Sequence, residues 1–401
     1  MPHRFPSISG RSAIPGYRVL RACVYHLGPP RESGARQPVH SMVDARSRMG
    51  LCLSGGGVTG AMYQVGCLAA LEDRIEGFAA SEFDVFVGTG SGATVALALA
   101  SGLNVQRMYR ALLDPADDFF PLQRNHLLRI DLGELLRVFG SAIAAARRVV
   151  SSAATSPLDV NVWDELERFV DSLPAGVFTL DAYERFLTEF MQRRGVPLHF
   201  ADLPRKLFIV ASDLDAGKRA LFGHGDLAHV PVARAVAASS AIPILYAPVE
   251  IDGRDYVDGG IGDAAHIDVA EREGCRLIVV VNPMVPVHAG ADGSDVPTGH
   301  GKKHRVRDKG AIWVYNQAVR IWMEARLQLG LEQFRQAHPH TSVMMFEPKQ
   351  TDATLFMYSP MNFAARRAIL QEGYTQTVRR LSDPESPLRA TLKAHGLRVA
   401  E

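Results

Sequence analysis

Gly88-Thr89-Gly90-Ser91-Gly92 sets a hydroxyl inside a tight cluster of glycines. The apolar run Phe83-Asp84-Val85-Phe86-Val87 leads into it, and an Ala/Leu/Val run of helical length, ending near Leu99, leaves it. A buried strand that turns sharply through glycines into a helix is a nucleophile elbow. Such a turn holds one side chain at its tip, over a helix N-terminus, and the chemistry it serves is attack on an acyl carbonyl. The usual pattern is G-x-S-x-G. Counted from Gly88, the place of the serine is held by Gly90, and the hydroxyl stands one residue later at Ser91.

A second glycine cluster, Gly55-Gly56-Gly57-Val58-Thr59-Gly60, follows the short apolar strand Met49–Ser54 and opens a helix through about Ala70. Gly55, Gly57 and Gly60 match G-x-G-x-x-G, a weak signal by itself. A dinucleotide site wants an acid about 20 residues on, at the end of the next strand. Here that strand carries Asp84 at its beginning and runs into the elbow, so dinucleotide binding is disfavoured. The reading that fits is an oxyanion hole. Consecutive glycines let backbone N–H groups converge at a helix N-terminus, where the dipole favours negative charge.

The elements that must position these residues form an alternating pattern. Helices are expected at Val105–Leu113, Asn125–Val150, Val160–Leu173 and Asp181–Arg193, the last capped by Thr179 or Asp181 and ended by Gly195 and Pro197. The stretch 125–150 is amphipathic, with packing on the domain favoured over contact with a membrane. Leu207–Ala211 reads as a strand, Arg219–Phe222 as its returning arm, and Pro231–Ala241 as a helix. Val249–Asp252 and Arg254–Val257 form a hairpin about Asp252-Gly253 that delivers Asp258-Gly259-Gly260. Arg276–Asn282 is a further buried strand, and His288–Gly310 a solvated basic loop for which an anionic headgroup is the minority reading. Ala311–Gln336 is a long helix, Val343–Phe346 a strand and Asn362–Leu381 a final helix. Strands alternating with helices imply an α/β fold with parallel strands.

Composition bounds the rest. The 401 residues suffice for one large or two ordinary domains. A net charge of +1 gives no reason to expect a nucleic-acid partner. The cysteines Cys23, Cys52, Cys67 and Cys275 form no C-x-x-C pair and suit a reducing compartment. No apolar run approaches the length of a membrane span, which leaves a cytoplasmic protein, with peripheral membrane contact still compatible. Residues 1–47 carry arginines without lysine, scattered Pro and Gly and no apolar leader core, and are read as a disordered basic extension. Met42 and Met49 are alternative starts. Residues 48–290 are read as the α/β domain and 291–401 as a helical extension packed on it. His338-Pro339-His340 has no further ligands at useful spacing, so neither metal nor cofactor is expected.

The glycine loop, the elbow and the late Asp-Gly-Gly, in that order, resemble the patatin-like phospholipase family. The stretches that carry the resemblance are Ser54–Gly60, Val87–Ala93, Ala237-Ala-Ser-Ser-Ala-Ile-Pro243 and Tyr256-Val-Asp-Gly-Gly260, and it covers about Met49 to Pro286. The resemblance implies a three-layer α/β/α fold around a mostly parallel sheet. It also implies an acyl hydrolase of lipid esters with a Ser–Asp dyad and no histidine. Asp258 then matches the base, Gly55, Gly56 and Gly57 the oxyanion loop, and Gly90 the place of the serine. Thr59 stands where the family often carries Arg or Lys.

Glycine tolerates the strained dihedrals of an elbow, so the fold should survive Gly90. The chemistry should not, because loss of a serine nucleophile costs roughly six orders of magnitude. Ser91 lies about 100° and about 1.5 Å further along the helix. It would need a re-registered elbow to face Asp258, and otherwise should cap the helix. Two functions stay open: an acyl-ester hydrolase with catalysis impaired or rerouted to Ser91, and a non-enzymatic protein that binds lipid or a protein partner through the same cleft.

Overall fold

The computed structural model describes residues 47–130, 174–261, 265–288, 295–349, 356–359 and 362–400, together with 140, 143 and 147. The basic extension, the helix expected at 160–173 and most of the amphipathic stretch lie outside the described residues. In chain order the strands are β1 (Met49–Leu53), β2 (Val85–Thr89), β3 (Arg129–Ile130), β4 (Gly176–Thr179), β5 (Lys206–Asp213), β6 (Lys218–Phe222), β7 (Ile244–Tyr246), β8 (Val249–Ile251), β9 (Arg254–Asp258), β10 (Leu277–Val281), β11 (Val296–Thr298), β12 (Gly301–Lys303) and β13 (Ser342–Phe346). The helices are α1 (Gly57–Arg74), α2 (Ser91–Ala100), α3 (Val105–Leu113), α4 (Arg124–Leu127), α5 (Asp181–Arg193), α6 (Val232–Ser239), α7 (Ile267–Arg272), α8 (Ala311–Ala337), α9 (Phe363–Ser382) and α10 (Pro387–Ala394).

The main sheet has the order β13-β10-β1-β2-β5-β9-β8, with β6 also paired to β5. The first five strands of that order run parallel, while β9, β8 and β6 are antiparallel additions. Parallel strands covered on both faces read as continuous apolar runs, as β10 (Leu-Ile-Val-Val-Val) does. Alternate residues feed two cores. Leu277, Val279 and Val281 join Leu51 and Leu53 against α1, α2, α6 and α9. Ile278 and Val280 join Cys52, Val87 and Val210 against α7 and α8. The result is a three-layer α/β/α fold. β1 is its switch point, with β2 on one side and β10 on the other, and ligand sites in open α/β sheets form outside the carboxyl ends of strands at such a point.

Several expectations need correction. Leu180, not Thr179 or Asp181, is the N-cap of α5, and it makes no side-chain capping bond. The stretch from Asn125 starts as one helical turn, α4, and then enters the two-residue strand β3, because Ile130 and Arg129 pair with β4. The basic loop 288–310 contains the antiparallel hairpin β11–β12. β13 joins the main sheet beside β10, and α10 has no counterpart in the sequence reading.

Helices α1 and α9, far apart in sequence, pack backbone against backbone. A Cβ added to Gly66 of α1 would lie 2.1 Å from the Leu370 carbonyl oxygen, and one added to Gly373 of α9 would lie 2.4 Å from the Tyr63 carbonyl oxygen. Each backbone occupies the space where the other would carry a side chain. Gly66→Ala should therefore force the helices apart and destabilise the protein by about 3 kcal/mol, the upper end of ordinary overpacking. Urea unfolding of the variant checks this, and a change near zero would mean the helices separate at no cost.

Candidate active site

Three backbone segments meet at the carboxyl ends of β1 and β2. The strand register brings them there. Gly88 lies beside Leu53 on one side, Thr89 beside Val210 on the other, and Ala211 beside Asp258. The elbow and Asp258 thus flank β5 on adjacent rows.

At the elbow, the flanking glycines are required by space and the central one by conformation. A Cβ on Gly88 would lie 2.5 Å from the Ala93 Cα, and one on Gly92 2.4 Å from the Leu53 carbonyl oxygen. Gly90 takes φ 56° and ψ −127°, a combination that strains any L-residue. The direction a side chain at residue 90 would take is defined too: its Cβ would lie 2.9 Å from Asp258 Oδ2 and 3.2 Å from the Gly55 Cα. It points between the carboxylate and the glycine loop. The Gly90 N–H donates to Ser239 Oγ at 2.9 Å, and Ser239 in turn donates to the Val210 carbonyl. Ser239 is fully buried and ties the turn to β5. Its one sequence signal was its place in the stretch Ala237–Pro243.

Ser91 is the first residue of α2, and Gly90 holds the N-cap position without a side-chain capping bond. The expected capping role of Ser91 is therefore absent. Ser91 Oγ is buried and has no hydrogen-bond partner among the described residues.

The glycine loop has Gly56 at φ 130° and Gly57 at φ 63°, and α1 begins at Gly57. The N–H groups of Gly55, Gly56 and Gly57 have no partner among the described residues. They stand at the positive end of an 18-residue helix. Thr59 is buried, and its hydroxyl donates to the Gly56 carbonyl at 3.3 Å, closing the first turn. Pro283 supports the loop from outside: its Cγ would lie 3.0 Å from a Cβ on Gly56 and 3.1 Å from one on Gly60. The buried Arg320 of α8 donates to the carbonyls of Pro283 and Val285, and Gln317 bonds both the N–H and the C=O of Val287. Neither residue was singled out from sequence.

Asp258 ends β9. Its N–H donates to the Ala241 carbonyl, and its Oδ1 accepts the Gly260 N–H at 2.8 Å. Gly259 passes against β5 so closely that a Cβ there would lie 2.4 Å from the Val210 carbonyl oxygen. Asp-Gly-Gly is thus a fitted corner rather than a plain turn. Burial pushes the Asp258 carboxyl up to about 6, and the Gly260 N–H offsets only part of this. Tyr315 of α8 is raised by burial and by the Asp258 charge, which places it within electrostatic reach of the site. His338, the C-cap of α8, pairs with Glu271 at 3.0 Å.

Between α1, α2, α3 and α5 lies an almost wholly apolar cavity of about 680 Å³ of empty volume, part of it open to solvent. Met62, Val65, Val95, Ala98, Phe190 and Met191 line it. Ala61 and Thr94 at its edge lie about one helical turn beyond Gly57 and Ser91.

A carboxyl raised in the folded state stabilises it below the ordinary value, about 3.9, and that stability is lost as the pH rises through about 6. Asp258→Asn keeps the acceptor for Gly260 and removes the charge. The variant should match the native protein at pH 4 and exceed it by about 2 kcal/mol at pH 8, allowing for the partial exposure of the group. Urea unfolding at the two pH values tests this, and a pH-independent difference would refute it.

Residues 51–271 match the profile of the family described as Patatin-like phospholipase. Among curated proteins the chain is 22% identical over 220 residues to a probable lipid hydrolase of Invertebrate iridescent virus 6, covering 55% of this chain and 62% of that one. It is 45% identical over 67 residues to an uncharacterized NTE family protein of Mycobacterium tuberculosis, 17% of each chain. The chain therefore spans less than two thirds of the length of these relatives. Among solved structures, VipD from Legionella pneumophila aligns at a TM-score of 0.36 and 17% identity, over 84% of this chain and 66% of that one. Human GIVD cytosolic phospholipase A2, in complex with methyl gamma-linolenyl fluorophosphonate, aligns at 0.30 and 12%, over 83% and 59%. With more than half of its length inside the family profile, this chain belongs to the patatin-like phospholipase family.

Proposed function

We propose that this protein holds lipid acyl esters in a patatin-type site whose covalent step is impaired at residue 90. The N–H groups of Gly55, Gly56 and Gly57 receive the carbonyl oxygen, where negative charge develops as the carbonyl is attacked. Asp258 is the general base, and a carboxyl near 6 is ionised at neutral pH and ready to take a proton. The alkyl chain lies in the apolar cavity beside α2. The observation that carries the reading is the position of the missing side chain: it would point between Asp258 and Gly55, and residue 90 is glycine. No hydroxyl stands there to form an acyl-enzyme, which leaves binding and slow attack by water activated by Asp258.

One observation favours a second reading. Ser91 Oγ is buried with no partner among the described residues, and an orphaned hydroxyl carries a desolvation cost that a bond to Asp258 would relieve. On that reading the elbow slips by one residue when substrate binds, and Ser91 becomes the nucleophile.

Hydrolysis of p-nitrophenyl esters by the native chain, Gly90→Ser and Ser91→Ala separates the two. The first reading expects a native rate near background. It expects Gly90→Ser to gain about 10³–10⁴-fold, less than a full nucleophile because Asp258 must give way to the new side chain. A native rate well above background that Ser91→Ala abolishes, with fluorophosphonate labelling of Ser91, would overturn it in favour of the second. In the Gly90→Ser background, Ala98→Phe fills the cavity and should lower turnover of a long-chain ester at least about tenfold more than that of the acetate. Equal losses on both substrates would remove the cavity from the site.

A further inference from the structure

Helix α8 is apolar on two faces. One carries Met323, Leu327, Leu331 and Phe334, all buried against the sheet. The other carries Val314, Ala318, Ile321, Trp322, Ala325 and Leu329 at spacings of three and four, and all six are exposed. Ile321 is 54% exposed, Trp322 49% and Leu329 59%. From Val314 to Leu329 this outer stripe runs about 22 Å. A helix apolar on both faces needs something on each.

The surface at the N-terminal end of the stripe is basic. Between residues 295 and 309, five of the seven Asp, Glu, Lys and Arg residues are cationic. Asp295 pairs with His304, and Asp308 lies beside Arg307. Lys302, Lys303 and Arg305 are exposed and have no carboxylate partner among the described residues. Lys309 lies 4.4 Å over the Trp313 ring, so the basic hairpin and the first turn of α8 form one surface.

We propose that this surface docks the protein on an anionic lipid bilayer, with the outer stripe of α8 at the headgroup–acyl boundary and Lys302, Lys303 and Arg305 on the headgroups. Apolar and aromatic side chains beside a cluster of unpaired cations are what such an interface selects. A second copy of the chain fits less well. The exposed charged residues of α8 are Arg326, Glu332 and Arg335, so the helix offers no acidic patch to meet the hairpin. The same helix lies on the corner of the candidate site: Met323 Cε would be 3.3 Å from a Cβ on Gly260. Docking on this helix holds the cleft at a lipid surface. The proposal adds to the acyl-ester reading, but its readout is binding, so either can fail without the other.

The test is co-sedimentation of the full chain with vesicles of phosphatidylcholine, alone and mixed with phosphatidylglycerol. The expected result is binding to the mixed vesicles only, weakened by high salt. Trp322→Glu and the pair Lys302→Glu/Lys303→Glu should each lower partitioning at least about tenfold, with unchanged melting temperatures because the residues are exposed. Equal binding by native protein and variants would overturn the proposal. So would light scattering that shows a dimer which Trp322→Glu dissolves, which assigns the stripe to a second copy. A clear fall in melting temperature for Trp322→Glu would also overturn it, because another segment of this chain then covers the stripe.

Discussion

The structure turns on the backbone of residue 90. To aim one side chain between Asp258 and Gly55, the chain must leave β2 at φ 56° and ψ −127° and enter α2 at once. Gly88 and Gly92 leave room for that path, and Ser239 fixes its N–H. Any L-residue at the tip would store roughly 1–3 kcal/mol of strain, and glycine stores almost none. A glycine at the tip therefore leaves the fold unstrained at the position from which a side chain would enter the site. The stability of the fold is thus no argument for or against turnover at this site, since the glycine satisfies the backbone without supplying a side chain.

The electrostatics of the site have other sources. The positive ends of α1 and α2 lie at the carboxyl ends of β1 and β2, and the N–H groups of Gly55, Gly56 and Gly57 have no partner among the described residues. Asp258 is half-buried beside them, at a cost in stability at neutral pH that the Gly260 N–H offsets only in part. The aligned donors and the raised carboxyl depend on backbone path and burial, and neither depends on a side chain at residue 90.

What the sequence makes legible is what local geometry dictates. Gly88, Gly90 and Gly92 after an apolar strand imply the elbow, and Asp252-Gly253 implies the hairpin that ends at Asp258; the structure has both residues at positive φ. Strands such as Leu277–Val281 are legible because burial on both faces leaves a run of apolar residues. Ser91 misleads because serine favours helix starts in general, while the residue at the cap here is set by the turn geometry. Ser239, Gln317 and Arg320 are illegible because their roles depend on partners 149, 30 and 37 residues away. No periodicity records such a distance.

Those distant partners bear on how the family fold is held. The matched region ends at residue 271, yet three supports of the glycine loop lie beyond it. Pro283 packs on Gly56 and Gly60, Arg320 and Gln317 hold the segment 283–287 from α8, and α9 grips α1 through Gly66 and Gly373. A loop of glycines is free to take the conformation an oxyanion site needs, but equally free to leave it. Rigidity must come from what is packed around it, and in this chain part of it comes from the C-terminal third. The same helix that braces the loop on its inner face presents the exposed stripe on its outer face. Arg320 and Gln317 thus join α8 to the segment that packs on the glycine loop, so the helix with the exposed stripe is also one of the supports of that loop.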